Sequence, residues 1–369
     1  MEQQSATPAL PTPVPASSSA PTSASASTSA STSKLLRFKK LIRRRIWLIS
    51  ALGIVLILGS VAAYYVYSFY SFANKIYVAP EASSSPIATG DDGSPVPAEV
   101  VAPPEWSGDE RINILLLGGD SRGVKSKAKP RSDTMMLVSI DPVDKSTHMF
   151  SLLRDTYVEI PRHGSNRLNA AITMGGPLLS METVGNLVGL PIHYYVYTDF
   201  EGFISLIDEL GGIDFEVDKT MKRTDNQDDP RYNINLEKGM QHLDGITALQ
   251  YVRYRSDALS DFARSERQRK FLTAIADKMQ RTTSLLRLPS LLNGIAPYIE
   301  TNIPPSDLIK LARLGMKLDT SRLAGIQVPQ NGAFKEETID KMEVLVPNVE
   351  QIKSYVQEQL QPPTTTTTP

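Results

Sequence analysis

The sequence predicts an α/β chain: a layered domain with a central, mostly buried sheet, lying outside the cytoplasm and tethered by one N-terminal transmembrane helix. Three observations predict it. Residues 46–70, IWLISALGIVLILGSVAAYYVYSFY, carry no charge and exceed the roughly 20 residues that a helix needs to cross a bilayer. Beyond them, apolar runs of strand length alternate with amphipathic runs of helix length, the pattern of a layered α/β domain. The 369 residues include no cysteine, so the outer domain relies on packing, and it is long enough to do so without disulfides.

Taken in order, the first 33 residues are nearly all Ser, Thr, Ala and Pro with one charge, Glu2. Such a mix buries too little apolar surface to order itself and reads as a disordered cytoplasmic tail. Residues 34–45, KLLRFKKLIRRR, form a basic flank that keeps the N-terminus inside and sends everything after residue 70 outside. A cleavable signal peptide is the competing reading, since Val61, Ala62 and Ala63 resemble a small-residue cleavage site. The length of the apolar run and of the region before it favour an uncleaved anchor. Residues 71–107 are rich in Ser, Pro, Ala and Val and read as a flexible stalk, 108–358 as one large folded domain, and 359–369, ending in PPTTTTTP, as a second disordered tail.

Within the domain, residues 111–117 form an apolar run closing on Gly118 and Gly119, a buried strand entering a tight turn. Residues 134–140 and 149–153 predict two further strands. A helix over 201–210 stops at Gly211 and Gly212, and 213–217 resumes as a strand. Asp244 is the expected N-cap of a helix over 245–251, Ser306 that of a helix over 307–316, and 323–329 a late strand. SDFARSERQRK opens another helix near Ser260 or Asp261.

Arginine and aspartate recur together at the ends of these elements. Asp120 and Arg122 follow the first strand, Arg131 and Asp133 precede the second, and Arg154 and Asp155 close the third. Residues 248–270 add five arginines and a lysine, of which Arg264, Arg267 and Gln268 share a helical face by spacing; Arg253 and Arg255 share a side only if that piece is extended. In a mixed α/β sheet, groups at strand ends collect at one rim. The planar guanidinium matches phosphate oxygens and keeps its charge at physiological pH. Asp120 and Asp133 then suit a magnesium ion, which binds through one or two carboxylates plus substrate phosphates. A single Arg–Asp pair is ordinarily a surface ion pair worth about 0–1 kcal/mol; the whole constellation points to a diphosphate with its cation. Net charge is −1, so the arginine cluster is local. A Walker-type phosphate loop and Gly-x-Ser-x-Gly are absent, and the four histidines show no metal spacing. Apolar excess over 203–210, 271–275 and 285–299 is explained equally by core and by a cavity.

The strings NILLLGGDSR (113–122), RSDTMMLVSIDP (131–142), LLRDTYVEIP (152–161), RLNAA (167–171), YYVYTDFEGF (194–203), LIDELGGIDFEV (206–217), HLDGITALQYVRYR (242–255) and DFARSERQRK (261–270) resemble the LytR-CpsA-Psr family. The resemblance implies an α/β/α domain that holds a polyprenyl pyrophosphate, with its tail in an apolar cavity and its diphosphate in an arginine-lined mouth with Mg2+ or Mn2+. It implies transfer of a cell-wall glycopolymer, such as teichoic acid, from an undecaprenyl-pyrophosphate carrier to the 6-hydroxyl of N-acetylmuramic acid in peptidoglycan. By position, Asp120 and Asp133 match the metal-binding aspartates, and Arg122, Arg131, Arg154, Arg253, Arg255, Arg264 and Gln268 the diphosphate ligands. Arg154 and Arg255 are the expected catalytic cations, and Asp155 the candidate base or the orienting group for Arg154. Departures from the family pattern are Leu153 for proline, Arg167 for lysine, Ile172 for an aromatic and Ala263 for glycine.

The rivals are a polyprenyl-pyrophosphate hydrolase, a non-catalytic lipid-binding protein and a transcriptional attenuator. The last needs the basic helix on DNA phosphates, yet the predicted topology puts that helix outside the membrane and leaves about 45 cytoplasmic residues, so no nucleic-acid partner is expected.

Overall fold

The computed structural model describes residues 29–80, 86–89, 95–97, 102–120, 131–224, 230–255 and 260–361. The chain divides into two compact units, 1–63 and 64–369. Helix α1, Ser29–Ile76, begins in the first and ends in the second. It contains the apolar run and the basic flank, so helix replaces the disordered tail from residue 29 onward.

The sheet has six strands: β1 (Ile112–Gly119), β2 (Ser132–Ile140), β3 (Thr147–Leu152), β4 (Tyr194–Asp199), β5 (Ile299–Thr301) and β6 (Leu323–Val328). Their order is β5-β4-β1-β2-β3-β6. β4 runs parallel to β1 and β6 parallel to β3, while the other pairs are antiparallel. The sheet is therefore mixed, and the ends of β1 and β4 and the start of β2 meet at one rim.

Side chains alternate along a strand, so each strand serves both faces. On the first face Leu115, Leu117, Leu137 and Phe150 pack under α2 (Ala171–Val188) and α9 (Val349–Leu360), through residues such as Val184, Leu187, Ile352 and Val356. On the second face, at the edge formed by the starts of β1 and β4 and the end of β2, Ile112, Tyr194 and Ile140 close against Trp106, Ile303 and Leu314 of α8 (Pro305–Gly315). Farther up that face a cavity opens between much of the sheet and its helices, bridged where Gln268 and Arg269 reach Thr134 and Ser151. Helices α3 (Phe200–Glu209), α4 (Gly245–Arg253), α5 (Ser260–Met279), α6 (Thr282–Leu286) and α7 (Leu288–Ile295) build their own cluster around Ile207, Tyr251, Phe271 and Leu291.

Local chemistry explains the boundaries. Asp199 accepts from the Gly202 amide at 2.9 Å to cap α3. Gly211 and Gly212, at φ +75 and +73, end the turn after it with bonds to the Asp208 and Ile207 carbonyls. Asp244 caps α4 through the Thr247 amide at 2.9 Å. Ser306 does not cap α8: Pro305 occupies the first helical position after Pro304, where its fixed φ and missing N–H suit a helix start, and Ser306 falls inside the turn. The expected stalk is also shorter than its composition suggests. Phe72, Ala73 and Ile76 are buried, Tyr77 bridges to Thr301, the Val78 amide donates to the Thr301 carbonyl at 2.8 Å, and Trp106 is core.

Candidate active site

A cavity of about 430 Å³ opens between the upper second face of the sheet and helices α3 to α5. Sheet residues Leu116, Gly118, Thr134 and Met136 form one wall. The other wall changes chemistry along α5, where Arg264 and Gln268 are followed by Phe271, Leu272 and Ile275. Steps of three and four keep these on one helical face. From Arg264 to Ile275 the cavity thus passes from cation to hydrocarbon over about 16 Å, at 1.5 Å per residue. Val196, Phe203, Leu206, Leu249 and Ile299 complete the apolar chamber. Of the apolar excess in the sequence, these side chains line space, while Ile207, Leu210, Leu291, Leu292 and Ile295 are core.

Six sequence-predicted residues line this cavity: Asp120, Asp133, Arg253, Arg255, Arg264 and Gln268. Arg253 is the last residue of α4, and Tyr254 turns to φ −59 and ψ 133, so the chain is extended there and both arginines reach the same space. Three predicted residues stand elsewhere, and a fourth is not described. Arg122 lies outside the described residues, and Arg131 is exposed and off the cavity wall. Arg154 and Asp155 sit behind the wall, in a chain of alternating charge. Arg154 Nη1 donates to the Asp133 carboxylate, and its Nε stands 3.4 Å from Asp155 Oδ2. Asp155 Oδ1 is 3.3 Å from Arg167 Nη1, and Arg167 Nη2 donates to the Glu343 carbonyl at 2.6 Å.

The α5 side is held differently. Arg264 Nη2 donates to the backbone carbonyl of Asp133 at 3.3 Å, and Gln268 Nε2 to Thr134 Oγ1 at 3.0 Å. Arg267, grouped with them by spacing, turns inward. It is 4% exposed, donates to the Tyr254 carbonyl at 2.6 Å and covers the Tyr254 ring at 5.3 Å. That bond pins the peptide between Arg253 and Arg255. Arg253 itself lies 4.9 Å from the Phe200 ring centre and 5.3 Å from that of Tyr232. Ala263 leaves α5 continuous from Ser260.

Where β1 enters Asp120, glycine is required: a Cβ on Gly119 would collide with the Tyr197 hydroxyl. Burial, then the carboxylates of Asp199 and Glu300, push that phenol up to about 12, so it stays protonated. Tyr194 and Tyr195 are core residues that donate to Asp307 and Glu300.

The sequence reading omitted Arg223, Thr134, Phe200 and Tyr232, all of which line the cavity. Thr134 was within reach, being the neighbour of Asp133 at a strand start. Arg223 and Tyr232 arrive through the 221–223 and 234–236 ladder and its flank, in a polar stretch with no period.

For a divalent cation, three carboxylates line the cavity together with several guanidinium groups, Asp120, Asp133 and Asp199, of which Asp199 is engaged in capping α3. Among the described residues no group of three His, Cys, Asp or Glu could hold a metal alone. Two carboxylates with phosphate oxygens completing the shell is magnesium's usual arrangement, so the residues fit.

Polyisoprenyl-teichoic acid--peptidoglycan teichoic acid transferase TagU of Bacillus anthracis is 32% identical over 288 residues, which is 78% of this chain and 87% of TagU. Regulatory protein MsrR of Staphylococcus aureus is 34% identical over 205 residues, 55% of this chain and 59% of MsrR, so the chain spans about three-fifths of that relative. The crystal structure of TagV from B. subtilis superposes with a TM-score of 0.57 at 28% identity, covering 69% of this chain and 99% of TagV. TagT with bound octaprenyl pyrophosphate gives 0.51 at 26% identity, covering 70% of this chain and 93% of TagT. The LytR_cpsA_psr family model matches residues 65–361, the whole of the sheet and both helical layers, and the chain belongs to the LytR-CpsA-Psr family.

Proposed function

We propose that this protein is a phosphotransferase of the outer membrane face, moving a glycopolymer from an undecaprenyl-pyrophosphate carrier to the 6-hydroxyl of N-acetylmuramic acid in peptidoglycan. One observation carries the reading: a single cavity joins an arginine-lined mouth to a chamber of Phe, Leu and Ile side chains. A diphosphate on a long hydrocarbon has both chemistries. The transferase name of TagU and the octaprenyl pyrophosphate bound to TagT support it, as does the helical piece Ile42–Ile76, whose apolar run is long enough to cross a membrane.

The chemistry asked of the protein is mainly placement and charge stabilisation. The muramyl oxygen forms a bond to the phosphorus next to the sugar, and the bond from that phosphorus to the bridging oxygen breaks. Undecaprenyl phosphate departs, and the hydroxyl proton goes to the departing phosphate. Arg253, Arg255, Arg264 and Gln268 hold the diphosphate and stabilise charge on the attacked phosphorus. Asp120 and Asp133 would hold Mg2+ or Mn2+, which when bound supplies further neutralisation of the phosphate oxygens. Asp155, between two guanidinium groups, orients Arg154 rather than taking a proton. Arg154 in turn holds the Asp133 carboxylate.

The test is mass spectrometry of lipid co-purified with the full chain, followed by an assay with synthetic lipid-diphosphate glycan and peptidoglycan oligomers. Glycan joined to muramic acid is the expected product, and Arg255→Ala abolishes it without unfolding the chain. Phosphate freed without attachment makes the protein a hydrolase, and bound lipid with neither product makes it a carrier-binding protein.

A further inference from the structure

Helix α1 is longer than a bilayer requires. The piece Ile42–Ile76 has 35 residues, about 52 Å at 1.5 Å per residue, and the uncharged run 46–74 within it alone measures about 43 Å, against a hydrocarbon core of about 30 Å. Burial shows which end is in excess. Trp47, Leu48, Ile54 and Ile57 are each at least 57% exposed. Contact with the folded domain begins one turn past Val61: the Tyr65 hydroxyl donates to the Leu286 carbonyl at 2.8 Å, and Ser68, Phe72, Ala73 and Ile76 are buried. Residues 46–64 alone measure about 28 Å, which fills the bilayer core. The span therefore ends near Tyr64, and the last turns of α1 belong to the domain.

What surrounds Leu286 at that level is apolar and uncovered. Leu286 is 69% exposed, Tyr64 55%, Tyr67 72% and Met279, at the end of α5, 40%. Ser284 Oγ donates to the Lys278 carbonyl at 2.6 Å, tying α6 to the end of α5. Gln280 donates to the Gly315 carbonyl at 3.0 Å, which brings exposed Met316 to the same end. Tyrosine rings at such a boundary suit the headgroup zone, where one side is wet and the other apolar. The charges flanking Leu286 are of both signs, with Lys278 and Arg281 near Asp214 and Arg287 in one hollow with Asp208 and Glu209, so this face offers hydrocarbon contact rather than a field.

We propose that this end of the domain, formed by the last turns of α1, α6 and the C-terminus of α5, seats on the bilayer, with Leu286 in the interface. The occupant is the interfacial zone of the lipid leaflet itself. This rests on α1 being a membrane span, and not on the transfer reaction. On the reading of the cavity given above it has a consequence for the substrate. Met279 lies at the seated end and Arg264 15 residues up α5, so the arginine mouth stands at most about 22 Å from the membrane surface. The apolar chamber, lined by Phe271 and Ile275 and backed by Phe72 and Ile76 of α1, fills the interval and covers a polyprenyl chain drawn up from the leaflet.

The absence of native cysteine makes the test direct. Full-length chain carrying one of Leu286→Cys, Val143→Cys or Ile57→Cys, each at an exposed position, is labelled with bimane and reconstituted into vesicles containing nitroxide lipids. A nitroxide near the headgroup is expected to quench the label at 286 several-fold more than that at 143, and a nitroxide near the chain end to quench that at 57. Quenching at 57 with equal, weak quenching at 286 and 143 overturns the seating and leaves the span intact. No quenching at 57 removes the span, and the seating with it, while leaving the transfer assay untouched.

Discussion

Two sides of one mouth hold their arginines by different means. On the β3 side Arg154 and Arg167 meet carboxylates, Asp133 and Asp155. On the α5 side Arg264, Arg267 and Arg269 donate to neutral oxygens, the carbonyls of Asp133 and Tyr254 and the hydroxyl of Ser151. A carboxylate fixes a guanidinium and cancels its charge; a carbonyl or hydroxyl fixes it and leaves the charge in place. The α5 side thus sets its guanidinium groups through neutral oxygens, with Glu266 beside Arg267 and Arg269 and Arg264 alone of the three on the cavity wall, and the β3 side positions Asp133 through Arg154.

The sharpest way to break this comparison is to remove one cation from each side. Arg264→Ala should lower kcat/KM for glycan transfer by about 100-fold or more, roughly 3 kcal/mol of charge stabilisation, in the lipid-diphosphate assay. A smaller loss than for Arg167→Ala would invert the assignment. Next in size is Arg267→Leu, which keeps a buried side chain but leaves the Tyr254 carbonyl without its donor. An unsatisfied buried acceptor costs about 1–3 kcal/mol, read as a lowered denaturation midpoint of the detergent-solubilised chain. Because the peptide between Arg253 and Arg255 loses its pin, KM for the carrier should rise as well; a stability loss with unchanged KM would make Arg267 a core residue only.

Smaller again is Asp155→Asn, expected to slow transfer about tenfold, about 1.4 kcal/mol, through a misplaced Arg154. The pH profile separates orientation from proton transfer. If Asp155 is the base, the acidic limb of kcat against pH disappears in the asparagine variant. If it orients Arg154, that limb stays and Arg167→Ala reproduces the defect.

Much of this arrangement was legible because strong local signals coincide with tertiary need. The apolar runs that became β1, β2 and β3 are buried on both faces, and the glycine pair at 211 and 212 ends α3 where left-handed backbone is required. Asp120, Asp133 and Arg255 were found because strand ends and a helix exit converge at one rim. Direction was harder. Arg264, Arg267 and Gln268 fall within one turn and a half, and spacing alone does not say which of them faces the cavity and which turns to Tyr254. Helix α2 went unread because Gly175 and Gly176, both outside helical φ and ψ, and Pro177 interrupt its pattern. The end of α1 read as stalk because Ser, Ala and Asn dilute its apolar residues, whereas Phe72 and Ile76 are buried by partners over 130 residues away. Composition reports solubility of a segment, not the presence of a receiving surface.

The smallest expected effect tests the opposite end of β3, where burial and the neighbouring Arg111 disfavour a further positive charge. His148 lies at the start of the strand that ends beside Arg154, and burial first, then the Arg111 guanidinium, holds its pKa below the ordinary histidine value. His193 is likewise lowered chiefly by burial, and its Nδ1 accepts from the Asn113 amide at 3.1 Å. Below about pH 6.5 the unfolded chain takes up protons that the folded imidazoles resist. Stability is therefore whole above that pH and falls as pH drops through it toward the lower folded values. Asp144, Asp244 and Asp307 also have lowered values, but their contributions are lost only as pH falls below about 4, in a separate window. His148→Phe, which keeps a ring against Phe150, should flatten part of the decline between pH 6.5 and the carboxylate range, by less than about 1 kcal/mol, in denaturant midpoints taken across that interval. An unchanged slope would mean that this ring accepts its proton in the fold, and that the two ends of β3 differ in geometry but not in their tolerance of charge.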